Sequence, residues 1–313
     1  MMMNFDFPQS FVALPHLGII QVQGKDALSF LHGQLTNDLI HLDAHYAQLN
    51  AYCSVKGRVL ATFINWTQQE TIYLITSKSL FPYLLKRLGM FILRAQVKIN
   101  VSDLQLAGCI GNTVNALLGK DFTSSSTAIW QKIIIENNTI IRIPDAQEQA
   151  RWVIIGSAEQ MNALPIQEDA KQIWPWLDIQ AALPWIAEQT QDKLLPQTLN
   201  LDALGGVHFK KGCYPGQEVV ARTQYLGKIK RRMLRAHYVG TALAEPGSDV
   251  YSNNEPIGSV INAAANPMGG YDLLIELPWL DKAQNLTVLD QPLSILDLPY
   301  ALPEQDLFIR PKL

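Results

Sequence analysis

The sequence predicts an α+β fold, in which helices and strands are mixed over most of the chain and short strands make up its end. Apolar runs at 59–66 and 71–76 are followed by helical spacing at 79–88, an order typical of α+β proteins. After Met233 the apolar runs become short and are divided by turn residues, at spacings typical of small barrels or sandwiches. We therefore expect a domain boundary near residue 230.

The first elements are predicted to be a strand and a helix. An apolar run at 17–23 ends at Gly24, which favours a strand that leads into a helix. The segment 25–35 has apolar residues mostly three and four positions apart, which form one helical face: Leu28, Phe30, Leu31 and Leu35. Asp26 suits the positive N-terminal end of this helix.

A hairpin, a strand and an interrupted helix are predicted next. Isoleucine-rich runs on both sides of an Asn-Asn pair predict a hairpin over 128–143, and 152–155 predicts another strand. Residues 177–187 are predicted to be helical with an interruption at Pro184, and a polar loop follows them.

Length and charge limit the classes of protein that the chain can represent. At 313 residues and 48% hydrophobic positions, the chain can bury sizeable cores, and we divide it into the domains 1–230 and 231–313. The net charge of -3 gives no general attraction to nucleic acid or to an acidic membrane. No secretion signal is recognised, and no apolar run approaches the ~18 residues of a membrane helix, so we expect a cytoplasmic protein without a membrane partner.

The three cysteines, Cys53, Cys109 and Cys213, are odd in number and show no Cys-x-x-Cys spacing. This pattern predicts neither a disulfide framework nor a four-ligand zinc site, so no metal site is assigned. Cys53 and Cys109 lie in apolar contexts that suggest small core residues. The histidines are interpreted as structural, with His208 the best candidate for a neighbour of Cys213.

Residues 210–235 contain eight basic side chains and only one acid, Glu218, a local charge of +7. Such a segment can attract an anionic ligand, such as a phosphate or a polyglutamate tail, and the alternative is a solvated basic surface. Within it, two glycines surround Cys213 and permit a tight backbone path. Lys211 and Arg222 would favour the thiolate if they fold toward Cys213, whereas a buried, inert cysteine is the alternative.

The octapeptide 211–218, Lys-Gly-Cys-Tyr-Pro-Gly-Gln-Glu, followed by Arg222, resembles the signature of the YgfZ family. The segments 196–201 and 204–210 are similar to the family's approach to that loop. Near the start, 24–38 resembles the opening that the family shares with the glycine-cleavage T-protein. The resemblance covers most of the first 230 residues.

The resemblance implies two interlocked α+β subdomains around a central folate-binding opening, followed by a small C-terminal β-barrel. It implies tetrahydrofolate or a derivative as the ligand. It also implies a role in the assembly or repair of iron-sulfur enzymes, including a tRNA-thiolating one. The expected partners are folate and iron-sulfur client enzymes or assembly proteins, and we expect a monomer.

Site residues follow from the same resemblance. The predicted reactive thiol is Cys213, with Lys211 and Arg222 beside it. Trp174 and Trp176 can supply a stacking face for the pterin, and the resemblance assigns this role to Trp174, with a core aromatic as the alternative. Leu17 replaces a tryptophan of some members, and Gln180 replaces a pterin-binding glutamate of T-protein. The folate-binding set is Leu17, Trp174, Gln180, Asn200, Gly216, Gln217 and Glu218.

T-protein chemistry requires an acidic pair in a Gly-Gly-x-x-Asp-Asp pattern, and this chain has Ala61 and Thr62 at those two positions. Neither side chain can act as a carboxylate acid or base, so we expect no T-protein-type aminomethyltransferase activity. One alternative is a folate-dependent one-carbon transferase that uses Cys213 as a covalent nucleophile. Direct tRNA binding through 210–235 is a third possibility, which the acidic remainder of the chain disfavours.

Overall fold

The computed structural model of the protein describes residues 10–118, 127–167, 172–227, 229–278 and 285–303. In chain order the first part contains β1 (Phe11–Ala13), β2 (Leu17–Gln23), α1 (Ala27–His32), β3 (Gln48–Cys53), β4 (Val59–Gln68), β5 (Thr71–Ser77), α2 (Phe81–Gly89), β6 (Lys98–Val101), β7 (Gln105–Ile110), α3 (Asn115–Leu118), β8 (Lys132–Ile135), β9 (Asn138–Ala146), β10 (Gln149–Gly156) and α4 (Ala158–Asn162). The second part contains α5 (Ile173–Gln180), α6 (Gln217–Tyr225), β11 (Arg231–Tyr238), β12 (Asp249–Ser252), β13 (Glu255–Ala265), β14 (Tyr271–Pro278), β15 (Leu286–Val288), β16 (Gln291–Pro292) and β17 (Ser294–Leu296).

The first sheet is antiparallel, with the strand order β3-β4-β5-β2-β6. The strands predicted at 17–23, 59–66 and 71–76 are confirmed as β2, β4 and β5. The helix predicted at 25–35 is shorter, because it ends at His32 and the chain then reaches a β-bridge between Leu35 and Tyr52.

The second sheet is also antiparallel, with the order β1-β7-β10-β9-β8. The predicted hairpin is confirmed as β8 and β9, and the strand predicted at 152–155 lies within β10. The described part of the chain begins in this sheet with β1, crosses to the first sheet with β2, and returns with β7. Because the two sheets share the chain in this way, the predicted interlocked α+β subdomains are confirmed.

The third sheet forms the predicted C-terminal barrel-like unit, with seven antiparallel strands in the order β16-β15-β12-β13-β14-β11-β17. Side chains in β14 alternate between two cores, as the period of a strand requires. Leu273, Ile275 and Leu277 pack inside this sheet, whereas Leu274 faces the main core.

The main core joins the first sheet, one face of the second sheet, α5 and part of the third sheet. Helix α5 is at its centre, since seven of its eight residues are buried. The helix predicted at 177–187 is wrong in its bounds: α5 begins at Ile173 and ends at Gln180. Pro184 cannot continue a helix, and Ala182 already takes a left-handed φ of 48°.

Helix α5 is attached to the second sheet by a buried ion pair. The guanidinium of Arg151 in β10 donates to Asp178 at 2.7 Å, and the indole nitrogen of Trp185 donates to the other carboxylate oxygen at 3.0 Å. Both charged side chains are almost fully buried. A buried charge is tolerated only when it is paired and hydrogen-bonded, so this pair fixes α5 against the sheet. Among the helices that the structure describes, none is long and apolar enough to cross a bilayer.

Candidate functional site

Cys213 is exposed, whereas the other two cysteines are buried. Burial raises the pKa of both Cys53 and Cys109, which makes their thiolates unfavourable. Their predicted role as core residues is confirmed. We name residues 211–218 the Cys213 loop; its last two residues begin α6.

Two glycines bring the Cys213 loop against the turn between β3 and β4. Gly216 has a φ of 79°, and a Cβ on it would lie 2.3 Å from the carbonyl oxygen of Ser54. Gly57 has a φ of 73°, and a Cβ there would lie 2.9 Å from Cβ of Val219. Side chains cannot be accommodated at this distance, so the two glycines allow the close approach of the two backbones.

Lys211 attaches the other end of the loop to helix α1. Its ammonium donates to the carbonyl of His32, the last residue of α1, and to the carbonyl of Leu35 at 2.6 Å. The last carbonyls of a helix have no partner within the helix and carry partial negative charge, so they suit an ammonium group. The ammonium also lies 5.0 Å from the centre of the Tyr214 ring, a favourable cation-π geometry.

Burial lowers the pKa of Lys211 from 10.5 to about 8, although the nearby Asp38 carboxylate partly offsets this change. Lys211 is close enough to Cys213 for their charges to interact. The ammonium is hydrogen-bonded to backbone carbonyls, and the predicted role of Lys211 beside Cys213 stays a prediction. Arg222 lies exposed on α6, as does Glu218, and the amide of Gln217 donates to the carbonyl of Lys211 at 3.3 Å.

The basic segment 210–235 is not one continuous basic surface. Besides Lys211, three of its arginines bind groups within the protein: Arg231 binds Glu276, Arg232 binds Asp202, and Arg235 binds Gln180. The exposed basic side chains of the described part are Lys210, Arg222 and Lys230. Lys228 lies outside the described residues. Four of the eight basic side chains thus join elements of the fold.

A second candidate site lies where α5 meets the third sheet. We name it the α5 pocket; its volume is about 410 Å³. Its polar lining includes Gln147, Gln180, Arg235, His237, Asn266 and Asp272, and Trp176 contributes an aromatic side chain. Pockets of this size with a few convergent polar groups are typical of sites for small organic ligands.

Asp272 in β14 organises the α5 pocket. Its carboxylate accepts from the indole of Trp176 at 2.7 Å and from the amide of Gln180 at 2.6 Å, and it lies 2.7 Å from Nδ1 of His237. The oxygen of the Gln180 amide in turn accepts from Gln147 at 2.6 Å and Arg235 at 2.8 Å. An amide can both donate and accept, which explains the absence of a glutamate at position 180. A carboxylate there would face that of Asp272.

The remaining predicted folate residues do not line the α5 pocket. Trp174 is 1% exposed, and its ring is covered by Gly108 on one side and lies 5.2 Å from the Arg151 guanidinium. Leu17 is buried at another cavity, of about 450 Å³, beside Phe81. The structure therefore separates Trp174, Leu17 and Gln180, and their roles in folate binding stay predictions.

Asn200 links the loop before the Cys213 loop to the third sheet. It is fully buried with a φ of 56°, and its amide donates to the carbonyl of Met233 at 2.9 Å and to the hydroxyl of Tyr300 at 3.2 Å. Asparagine is one of the few residues that tolerate this backbone conformation. The contacts give Asn200 a structural role, and its role toward folate is untested.

The two positions at which T-protein carries its acidic pair are buried in this chain. Ala61 is fully buried, and the hydroxyl of Thr62 donates to the carbonyl of Pro184 at 3.0 Å and accepts from the amide of Ile186 at 3.3 Å. Thr62 thus joins β4 to the segment that follows α5. Neither position presents a carboxylate for acid-base chemistry.

Comparisons with known proteins identify the family. The chain is 31% identical over 229 residues to the tRNA-modifying protein YgfZ of Vibrio vulnificus (strain YJ016), an alignment that spans 71% of this chain and 68% of the relative. The chain belongs to the YgfZ family. The YgfZ of Photobacterium profundum is 29% identical over 95% of this chain and 93% of the relative, and an uncharacterized protein of Haemophilus influenzae is 31% identical over 94% and 99%.

The solved structure of glycine cleavage system aminomethyltransferase T from Bartonella henselae is similar to this YgfZ-family chain in fold. It matches with a TM-score of 0.69 at 15% identity, over 93% of this chain and 86% of that chain. The predicted T-protein-like fold is confirmed by this likeness. No protein-family model matches the chain.

Sequence reasoning about this YgfZ-family chain missed Asp272 and the polar role of Arg235, whereas Trp176 was considered beside Trp174 as a stacking surface. Asp272 and Glu276 are the two buried acids of the mostly apolar strand β14, and an acid within such a strand is the signal that could have identified Asp272. Its partner Gln180 is 92 residues away, so no local pattern could identify the contact.

Stability should depend on pH through Lys211. Because the folded-state pKa of Lys211 is lowered to about 8 from 10.5, the unfolded chain binds more protons between these values, and this group's contribution to the free energy of unfolding rises with pH. We expect wild type to gain up to about 1.4 kcal/mol per pH unit relative to Lys211→Met in this window. Urea denaturation at pH 7.5 and 9.5 measures the difference. Relative to Lys210→Met, a variant at an exposed neighbour, wild type should show no such gain. If the free energies of unfolding of wild type and Lys211→Met change in parallel with pH, the account is contradicted.

Gln180→Glu should destabilise the protein, because two carboxylates would lie within hydrogen-bonding distance. We expect the free energy of unfolding at pH 7 to fall by about 1–3 kcal/mol, with Arg235 limiting the loss, and to fall less at pH 5. Urea denaturation measures the change. Adding Asp272→Asn should recover most of the loss; an equal loss in the double variant means that repulsion from Asp272 is not the cause.

Proposed function

We propose that this YgfZ-family chain is a cytoplasmic protein that binds tetrahydrofolate or a derivative and supports the assembly or repair of iron-sulfur enzymes, tRNA-modifying ones among them. Cys213 is its key thiol. The proposal depends most on one observation: Cys213 is exposed in a loop held at both ends, while Cys53 and Cys109 are buried. A thiol that reacts with a partner must be accessible and correctly placed.

The folate part of the proposal is supported by the fold and by the α5 pocket. Relatives are named tRNA-modifying proteins, and the fold is that of an aminomethyltransferase. A pterin needs an apolar or aromatic surface and polar partners at its edge, which Trp176 and Gln180 offer at this pocket. Arg235 and the partly exposed His237 offer positive or hydrogen-bonding groups for a glutamate tail.

A role for folate in positioning or gating is favoured over transfer of a one-carbon group to Cys213. Among the described residues that line the α5 pocket, none belongs to the Cys213 loop. The loop is instead attached to α1 and to the turn between β3 and β4. Since Ala61 and Thr62 replace the acidic pair and are buried, aminomethyl transfer of the T-protein type is disfavoured as well.

Complementation of cells that lack the protein tests the role of the thiol. Cys213→Ala should lower the activity of an iron-sulfur enzyme and the content of thiolated tRNA at least about tenfold relative to wild type, because the nucleophilic sulfur is lost. Enzyme assay in extracts and mass spectrometry of tRNA nucleosides measure the two quantities.

Cys109→Ala is the matched control, since it also removes one thiol but from the core. It should retain activity when its protein level equals that of wild type. Full restoration of both quantities by Cys213→Ala would refute the proposed role of Cys213.

A further inference from the structure

A histidine and a buried carboxylate meet at the α5 pocket. His237 in β11 and Asp272 in β14 are direct partners in the register of the third sheet, and both line the pocket. Nδ1 of His237 lies 2.7 Å from Oδ1 of Asp272. The imidazole side chain is 27% exposed, whereas that of Asp272 is 2% exposed. The pair therefore joins a buried carboxylate to an imidazole that a ligand in the pocket can reach.

The other partners of Asp272 are all hydrogen-bond donors. Its Oδ2 accepts from Nε1 of Trp176 at 2.7 Å and from the amide of Gln180 at 2.6 Å, and the amide nitrogen of Asn266 lies 3.1 Å from the same oxygen. An indole can only donate, and Arg235 donates to the oxygen of the Gln180 amide, so the nitrogen of that amide faces Asp272. These contacts suit an ionised carboxylate, which can only accept.

The contact with Asp272 determines where the imidazole of His237 carries its proton. Because the carboxylate only accepts, the proton lies on Nδ1, and a neutral imidazole then has its lone pair on Nε2. Nε2 has no hydrogen-bond partner among the described residues and is not a buried atom. A Cβ on Gly270 would lie 3.2 Å from Nε2, so the glycine leaves space beside this nitrogen. A structural cross-strand pair would be satisfied by Nδ1 alone, which leaves Nε2 as an acceptor for a ligand.

We infer that His237, positioned by Asp272, is the base of the α5 pocket and accepts a proton from a small ligand that carries an N–H or O–H group. In this step the bond between hydrogen and the ligand's nitrogen or oxygen breaks, the proton forms a bond to Nε2, and the electron pair stays on the ligand atom. The Asp272 carboxylate stabilises the imidazolium that forms. The pocket volume of about 410 Å³ suits a small organic molecule, such as a heterocycle with ring N–H groups. The inference rests on the proposed function only in taking the α5 pocket as a ligand site.

Acylation of histidines by diethyl pyrocarbonate at pH 7, followed by peptide mass spectrometry, tests the inference on the intact protein. The reagent reacts with the lone pair that would accept the proton, and exposed His45 serves as a reference in the same molecule. Asp272→Asn should lower the rate at His237 relative to His45 about tenfold. The donors of Trp176 and Gln180 hold the asparagine oxygen, so its nitrogen donates to Nδ1 and the proton moves to Nε2.

Glu276→Gln, which changes the other buried acid of β14, is the matched control and should leave the relative rate unchanged. Labelling of the buried Cys53 and Cys109 reports unfolding in each variant. If Asp272→Asn exposes them, nitrogen NMR of wild type with labelled histidine decides: the inference requires an unprotonated Nε2 on His237 at pH 8, and a proton there overturns it. An unchanged relative rate in folded Asp272→Asn overturns it as well.

The proposed function is judged by a separate arm of the same experiment. If tetrahydrofolate slows the acylation of His237 in wild type, folate binding at the α5 pocket is supported. If it does not, that location for folate is contradicted, while the effect of Asp272→Asn still decides the role of His237.

Discussion

The polar contacts of α5 are the constraint on which the architecture depends. Asp178 and Gln180 are two residues apart, so their side chains point in directions roughly 200° apart around the helix. Asp178 binds Arg151 of the second sheet, and Gln180 binds Asp272 of the third sheet. Each group is buried and would be costly without its partner. One helix thereby sets the position of both sheets and creates the α5 pocket where it meets the third.

The Cys213 loop depends on different contacts, made with the first sheet and its helix α1. Gly57 and Gly216 let the two backbones meet, and Lys211 binds the carbonyl end of α1. The thiol and the α5 pocket are consequently built on separate elements.

Much of the fold could be predicted from local sequence patterns. Strands such as β4 and β5 are apolar runs, and an Asn-Asn pair marks the turn between β8 and β9. The Cys213 loop was predictable from its glycines and flanking cations. The partners of those cations were not, since the carbonyls that bind Lys211 belong to residues more than 170 positions away. Asp272 was missed for the same reason, because hydrophobic periodicity is a local property, whereas its contact with Gln180 is made by tertiary structure.

The central claim is that folate binds at the α5 pocket, apart from the thiol, and titration with tetrahydrofolate followed by tryptophan fluorescence tests it most directly. The account predicts saturable binding that Gln180→Ala weakens at least about tenfold and Cys213→Ala leaves unchanged. Trp174→Phe, measured alongside, reports whether the predicted tryptophan takes part. If Gln180→Ala leaves the affinity for tetrahydrofolate unchanged, or if Cys213→Ala abolishes binding, the separation of the two sites is contradicted.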